Sequence, residues 1–268
     1  MSDWTTLRDL IAQRGINGQV IVSAELGLNH NGDLSLAMKM IDAAAEAGCQ
    51  AVKVQNYRTG DVVTSRGEKI VIAGQAWNAW ELFSRCELDV EGLRLLKTHA
   101  ERGGLIFHST PTNEQGIRDL DKLDVRILKL ASDVVGNPHI VRYARYDYGQ
   151  NVIASTGYLN TEVLPLYLAD EPEWLWLHCV RKYPTPAQEA NLGRIGEIRL
   201  LLGKYTANPL VGYSDHTEGI AACLSAVKDY QAVWIEAHVT LDKTLPGPDH
   251  RWSKDFSEMA ELVRCLKK

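Results

Sequence analysis

The chain has 268 residues, 45% of them hydrophobic and 24% charged, an ordinary balance for a globular protein. Its formal net charge of −5 argues against general nucleic-acid binding, which favours basic domains. No apolar run approaches the roughly 20 residues needed to cross a bilayer, and the 5 cysteines are scattered without a C-x-x-C pair, so neither a disulfide framework nor a zinc knuckle is indicated. The start, Met1–Arg14, is polar and lacks the apolar core of an export signal, so a cytoplasmic protein with reduced thiols is expected.

After a short helical stretch (Thr5–Gln13, within an N-terminal segment 1–19), two textures alternate. Apolar runs of four to eight residues suit strands buried on both faces, as in parallel sheets. They are Val20–Leu26, Ala51–Val54, Leu105–His108, Ile127–Leu130, Val152–Ala154, Leu175–Cys179, Leu210–Tyr213 and Val233–Ala237. Amphipathic segments separate them. In Leu34–Ala47 the residues Leu36, Met40, Ile41 and Ala44 share one stripe, with Asp33 placed as N-cap and Gly48 as C-cap. Similar helical spacing recurs at Val90–Arg102, Glu114–Lys122, His139–Tyr146, Leu192–Leu202, Glu218–Asp229 and Ser257–Lys267.

Eight strands alternating with helices along the whole chain predict one α/β domain, a (β/α)8 TIM barrel over about residues 20–268. A doubly wound open sheet is the alternative, but no G-x-G-x-x-G follows an early strand. One long excursion, Tyr57–Glu87, follows the second strand. It reads either as a lid over the catalytic face or as a structural insert packed by Trp77 and Trp80.

Polar residues gather where strands give way to loops, the position of catalytic groups in such barrels. Val211–His216 ends in Ser214, Asp215 and His216, and Ile235–His250 carries Glu236, His238 and Asp249-His250 after a rigid P-G-P turn. Lys53 and Lys129 lie inside apolar strands, where an ammonium needs an anion or sheds its proton. Each alone could be held by an internal salt bridge. Together with Ser109, Thr110, Ser132, Ser155 and Thr156 they read as a pocket for a phosphate and a carboxylate. A Schiff-base lysine is the competing reading. His216 and His238 add neutral imidazoles beside the carboxylate candidates Glu25, Asp215, Glu236 and Asp249, a donor mix suited to Mn, Fe, Zn or Co. Asn29, His30, Asn31 and Gly32 form a turn after the first strand, in which Asn31 and Gly32 read as loop and helix entry.

The segments E25-L-G-L-N-H-N-G, A-V-K53-V-Q, S109-T-P, L-K129-L-A-S, A-S155-T-G, L-H-C…Y183-P-T-P, G-Y-S214-D-H-T and L-P-G-P-D249-H together resemble the sialic acid synthases. That family includes the N-acetylneuraminate, legionaminate and pseudaminate synthases and related spore-coat polysaccharide proteins. The likeness runs in order from about Val20 to Lys267. It implies a TIM barrel that condenses phosphoenolpyruvate with the open-chain aldehyde of an amino sugar such as N-acetylmannosamine, giving a 2-keto-3-deoxy sugar acid and phosphate. It also implies a divalent metal, typically manganese, held by His216 and His238. Lys53, Thr110, Lys129, Ser132, Ser155 and Ser214 would then hold phosphoenolpyruvate, the two lysines also counting as catalytic. Glu25, Tyr183 and Asp249 would surround the sugar and the attacking water, with Glu25 handling the water's proton. A homodimer is the expected assembly.

Some features depart from that family. The chain stops at Lys268, without the antifreeze-protein-like domain that follows the barrel in full-length members. Arg181 stands where Asn or Ser is usual, and reads either as binding an extra anionic group or as swinging out to solvent, the first being expected. Ala237 replaces a usual Lys but should face outward. The segment between Gly157 and Leu175 is short, implying a trimmed fifth helix. The competing functions are a metal-dependent pyruvate aldolase or lyase and a catalytically silent sugar-binding barrel.

Overall fold

The computed structural model describes residues 5–148, 151–159, 163–171 and 173–268. The first four residues of the predicted N-terminal segment, and residues 160–162 and 172 of the short segment after Gly157, lie outside the described residues. The strands in chain order are β1 (Ile21–Glu25), β2 (Ala51–Asn56), β3 (Lys69–Ile72), β4 (Gln75–Asn78), β5 (Ile106–Pro111), β6 (Leu128–Leu130), β7 (Val152–Ser155), β8 (Leu175–His178), β9 (Val211–Asp215), β10 (Trp234–Thr240) and β11 (Lys254–Asp255). Eight parallel strands, β1-β2-β5-β6-β7-β8-β9-β10, close into a barrel through pairing of β1 with β10. This is the TIM barrel that the alternation of textures predicts, and each of the eight apolar runs overlaps one barrel strand, five of which continue past the run at their C-terminal ends.

Side chains alternate across each strand, and the alternation sorts them into two environments. Val22, Ala24, Val52, Val54 and Ala237 face outward and pack with the helices. Ala237 is thus where strand parity places it. Ile21, Ala51, Ile106, Ile127, Ile153, Leu175 and Trp234 fill the lower interior. The helix Leu7–Arg14 plugs that end with Leu7, Leu10 and Ile11. Its N-terminus is set by a capping box, in which Thr6 and Asp9 satisfy each other's backbone N–H groups. Gly212 leaves room for the indole layer, since a Cβ there would stand 2.4 Å from the Trp234 carbonyl oxygen.

The outer helices follow the predicted stripes. Leu34–Glu46 buries Ala37, Met40, Ile41 and Ala44 and is capped by Asp33, whose side chain accepts from the N–H groups of Ser35 and Leu36. Its C-cap is Ala47 rather than Gly48; Gly48 is the next residue, with φ +83°. The segment predicted as one helix over His139–Tyr146 is an α-helix, Pro138–Tyr143, running into a π-helical turn, Ala144–Tyr148. The short segment after Gly157 carries a helix, Leu164–Asp170.

The excursion after β2 holds a short helix, the antiparallel β3–β4 hairpin and the helix Ala79–Cys86. It has a small core of its own, in which Tyr57, Leu82 and Cys86 pack with Leu28, Trp77 and Phe83. The Ala73 N–H at the hairpin tip donates to the Tyr183 carbonyl across the barrel mouth, at 3.0 Å. The insert is therefore packed and also forms part of the mouth. Among the described residues no helix is long and apolar enough to cross a membrane.

Closing the lower end with Leu10 makes a prediction about stability. Leu10 is fully buried among strand residues of the barrel floor. Leu10→Ala is expected to lower unfolding free energy by about 2–5 kcal/mol, read from urea unfolding monitored by circular dichroism.

Candidate active site

Inward-facing residues at the C-terminal ends of the strands line one cavity of about 390 Å³. Twelve of the candidates named from the sequence lie on its wall: Glu25, Lys53, Thr110, Lys129, Ser132, Ser155, Arg181, Tyr183, Ser214, His216, His238 and Asp249. Strand register explains much of this. Glu25 on β1 stands opposite Lys53 on β2 and His238 on β10, and Glu236 stands opposite Ser214 on β9.

Two ammonium groups define the floor. Lys53 Nζ lies 2.8 Å from Glu25 Oε2 and donates to Thr110 Oγ1 at 2.8 Å. Lys129 Nζ lies 3.1 Å from Glu236 Oε1, which is also 3.9 Å from Lys53 Nζ and accepts from Ser214 Oγ at 3.1 Å. Burial by itself would raise the Glu236 carboxyl, but Lys129 and then Lys53 outweigh it and hold the group well below the usual range. Burial would likewise strip the proton from Lys129, yet Glu236 and Cys179 reverse that and leave its pKa raised. Glu25 behaves differently. Burial pushes its carboxyl up more than Lys53 pulls it down.

The imidazoles of His216 and His238 stand above this floor with ring centroids 5.6 Å apart. Burial lowers His216 to about 4 and takes His238 well below its ordinary value, so both rings are neutral near pH 7. His216 Nδ1 bonds the Val180 carbonyl at 2.7 Å, which leaves its Nε2 as the lone-pair nitrogen. His238 Nδ1 is buried with no hydrogen-bond partner among the described residues and lies 3.8 Å from Asp249 Oδ2. Burial, then the nearby Glu25, push Asp249 up to about 7. Gly27 makes the approach possible: its φ is +53°, and a Cβ there would fall 2.9 Å from His238 Nδ1. Two neutral imidazoles, one with an unpartnered buried nitrogen, fit a divalent transition metal. Among the described residues no group of three or more His, Cys, Asp or Glu side chains forms a metal cage. The remaining ligands of such an ion would be water or substrate oxygens.

The cavity has two further faces. Ser132, Ser155, Cys179 and Arg181 form one. The Arg181 guanidinium lies over the Tyr158 ring and bonds its hydroxyl, and it has no carboxylate partner among the described residues. Leu28, Tyr57, Val62, Ile72 and Phe83 form an apolar face, contributed largely by the insert.

Three candidates fall elsewhere because of strand parity. Asp215 points outward from β9, fully buried, with its Oδ2 2.6 Å from Lys254 Nζ. Ser109 and Thr156 donate to the carbonyls of Val54 and Leu177, at 3.0 Å and 3.2 Å, and neither lines the cavity. Glu236 carries more than its sequence reading as one carboxylate among four. The signal was present: it is two residues before His238 on one strand, so both share a face. The turn Asn29–Gly32 is a brace. Asn29 Nδ2 donates to the Val239 carbonyl at 2.8 Å, and Asn31 Nδ2 meets His250 Nε2 at 3.1 Å.

The chain is similar to known proteins. A sequence model of the NeuB family matches residues 40–268. An N,N'-diacetyllegionaminic acid synthase of Legionella pneumophila is 35% identical over 272 residues, covering 96% of this chain and 74% of its own length. An enzyme of the same name from Campylobacter jejuni is 32% identical over 261 residues, covering 93% and 76%. Among solved structures, the N-acetylneuraminic acid synthetase of Leptospira borgpetersenii superposes with a TM-score of 0.82 at 34% identity, covering 93% of this chain and 83% of that one. On its sequence and on its barrel alike, the chain belongs to the NeuB family.

Proposed function

We propose that the protein makes a sugar acid by condensing phosphoenolpyruvate with the open-chain aldehyde of an amino sugar, releasing phosphate. The observation that carries this reading is the pair of buried ammonium groups, Lys53 and Lys129, on either side of Glu236 at the floor of a cavity that also holds two neutral imidazoles. Relatives named as synthases of legionaminic and pseudaminic acids support it.

Phosphoenolpyruvate presents a carboxylate and a phosphate to the floor. Lys53, Thr110, Lys129, Ser132, Ser155 and Ser214 supply donors on several separate strand ends, with Arg181 at the rim for a further anionic contact. Held there, C3 of the enol attacks the aldehyde carbon, the aldehyde oxygen takes the π electron pair and a proton from solvent to become a hydroxyl, and cationic character develops at C2. Water adds to C2, and the tetrahedral intermediate expels inorganic phosphate. Glu25, whose carboxyl burial raises, takes up the water's proton, and the lysines oppose the charge of the departing phosphate. Tyr183 and Asp249 border the space left for the sugar. His216 and His238 would hold a divalent ion, which we take to be manganese; when bound it supplies Lewis-acid polarisation of the aldehyde oxygen. The raised pKa of Lys129 keeps that group an ammonium, which favours anion binding over the Schiff-base chemistry of a pyruvate aldolase.

The test is phosphate release from phosphoenolpyruvate with manganese across N-acetylmannosamine, its 6-phosphate, diamino sugars and simple aldoses. Release that depends on one amino sugar is expected; absence of phosphoenolpyruvate binding in calorimetry would overturn the reading. Lys129→Ala removes a buried charge partner and is expected to weaken phosphoenolpyruvate binding by about 2–5 kcal/mol in the same assay. His216→Ala is expected to lose bound manganese by elemental analysis while still binding phosphoenolpyruvate.

A further inference from the structure

Asp215 and Lys254 touch nothing in the cavity, yet neither has any exposed surface. Ser214 points inward from β9, so Asp215, the next residue, points into the layer behind the barrel wall. Its carboxylate accepts from the Tyr213 hydroxyl at 3.0 Å and from the Thr217 N–H at 2.9 Å. The Thr217 hydroxyl and the Cys223 thiol also donate to it, at 3.2 Å and 3.1 Å, and Lys254 Nζ lies 2.6 Å from its Oδ2 and donates to the Thr217 carbonyl at 2.7 Å. At 2.6 Å, with both side chains fully buried, Asp215 and Lys254 form an ion pair.

The chain positions of these groups give the pair its reach. Asp215 and Thr217 flank His216. Lys254 ends the loop that carries Asp249 and Trp252, just where β11 pairs with β10 through only Val239↔Lys254 and Thr240↔Asp255. Within that loop, Ser253 donates its N–H and its hydroxyl to the Asp249 carbonyl, at 3.1 Å and 2.7 Å. The Trp252 ring stands 4.7 Å from the His238 ring and 6.2 Å from the His216 ring. Asn29 Nδ2 also bonds Ser253 Oγ at 2.9 Å and Thr240 Oγ1 meets His250 Nδ1 at 2.7 Å, which hold the loop to the first and last barrel strands; the buried ion pair adds a tie to the segment of His216.

We infer that Asp215 and Lys254 are positioning residues, tying the loop of His216 to the loop of Asp249 and Trp252 and thereby setting the spacing of the two imidazoles. The inference rests on the metal reading of those imidazoles for its consequence, though not for its geometry. Buried ion pairs add little net stability because desolvation offsets their attraction, which leaves geometry as what this one supplies.

The test uses Asp215→Asn, Lys254→Met and the double variant in the full chain. The double variant replaces both charges with neutral groups, so it avoids the lone buried charge that can unfold a single variant. In protein carrying isotope-labelled histidine and no added metal, the His216 and His238 resonances are expected to move in the double variant, while that of His99 on the outer surface stays. Manganese affinity by calorimetry is expected to fall roughly 10–100-fold, with phosphoenolpyruvate affinity retained, since Lys53 and Lys129 sit on other strands. A folded double variant with unmoved His216 and His238 resonances would overturn the inference. If the unaltered protein binds no manganese, the metal reading fails, and the histidine resonances alone decide whether the pair positions the rings.

Discussion

Two ammonium groups inside a closed barrel impose a condition on everything near them. Lys53 and Lys129 are almost fully buried, and desolvation would neutralise an isolated lysine in that setting. Glu236 meets the condition by lying within reach of both, and Glu25 shares the charge of Lys53. Such a network contributes little net stability, since each ion loses its hydration. Its use is electrostatic: donors and charges are already oriented, so an anion entering the cavity meets a field that needs no reorganisation. Coupling across the floor then spreads that field. Glu25 sits next to Lys53 and faces Asp249, and burial lifts both carboxyls while Glu236 stays ionised.

The rest of the fold isolates that floor from below and frames it from above. The lower interior is apolar and plugged by the N-terminal helix, so charge is confined to the C-terminal half of the barrel. His108 marks the boundary. It is fully buried beneath the lysines, bonded to Ser23 at 2.7 Å, and burial lowers it to about 3, so it adds no third positive charge. Above the floor, the insert contributes an apolar wall and a hairpin bonded to the Tyr183 carbonyl. A cavity with an ionic base and a partly apolar mouth suits a substrate that is anionic at one end and carries non-polar substituents at the other.

The architecture was legible because its signals are local. Eight apolar runs with amphipathic segments between them leave few alternatives to a parallel barrel, and caps such as Asp33 mark helix starts within a few residues. The chemistry of the site was legible for a related reason. Charged and polar residues at the ends of apolar strands contradict core formation, so Lys53, Lys129, His216 and His238 stand out without any coordinates. What failed was parity at the strand ends. Asp215, Ser109 and Thr156 are polar and adjacent to inward residues, and a one-residue difference sends each to the opposite face.

By itself, then, the sequence determined the fold class, the end of the barrel that holds the cavity and most of the groups that line it, because hydrophobic period and residue type act over short stretches of chain. Only the tertiary structure decided which charges share a partner. That Glu236 serves two lysines from different strands, and that Asp215 pairs with Lys254 behind the wall instead of serving the cavity, follow from barrel closure and strand register. Those are distances between residues far apart in the chain, and no local pattern encodes them.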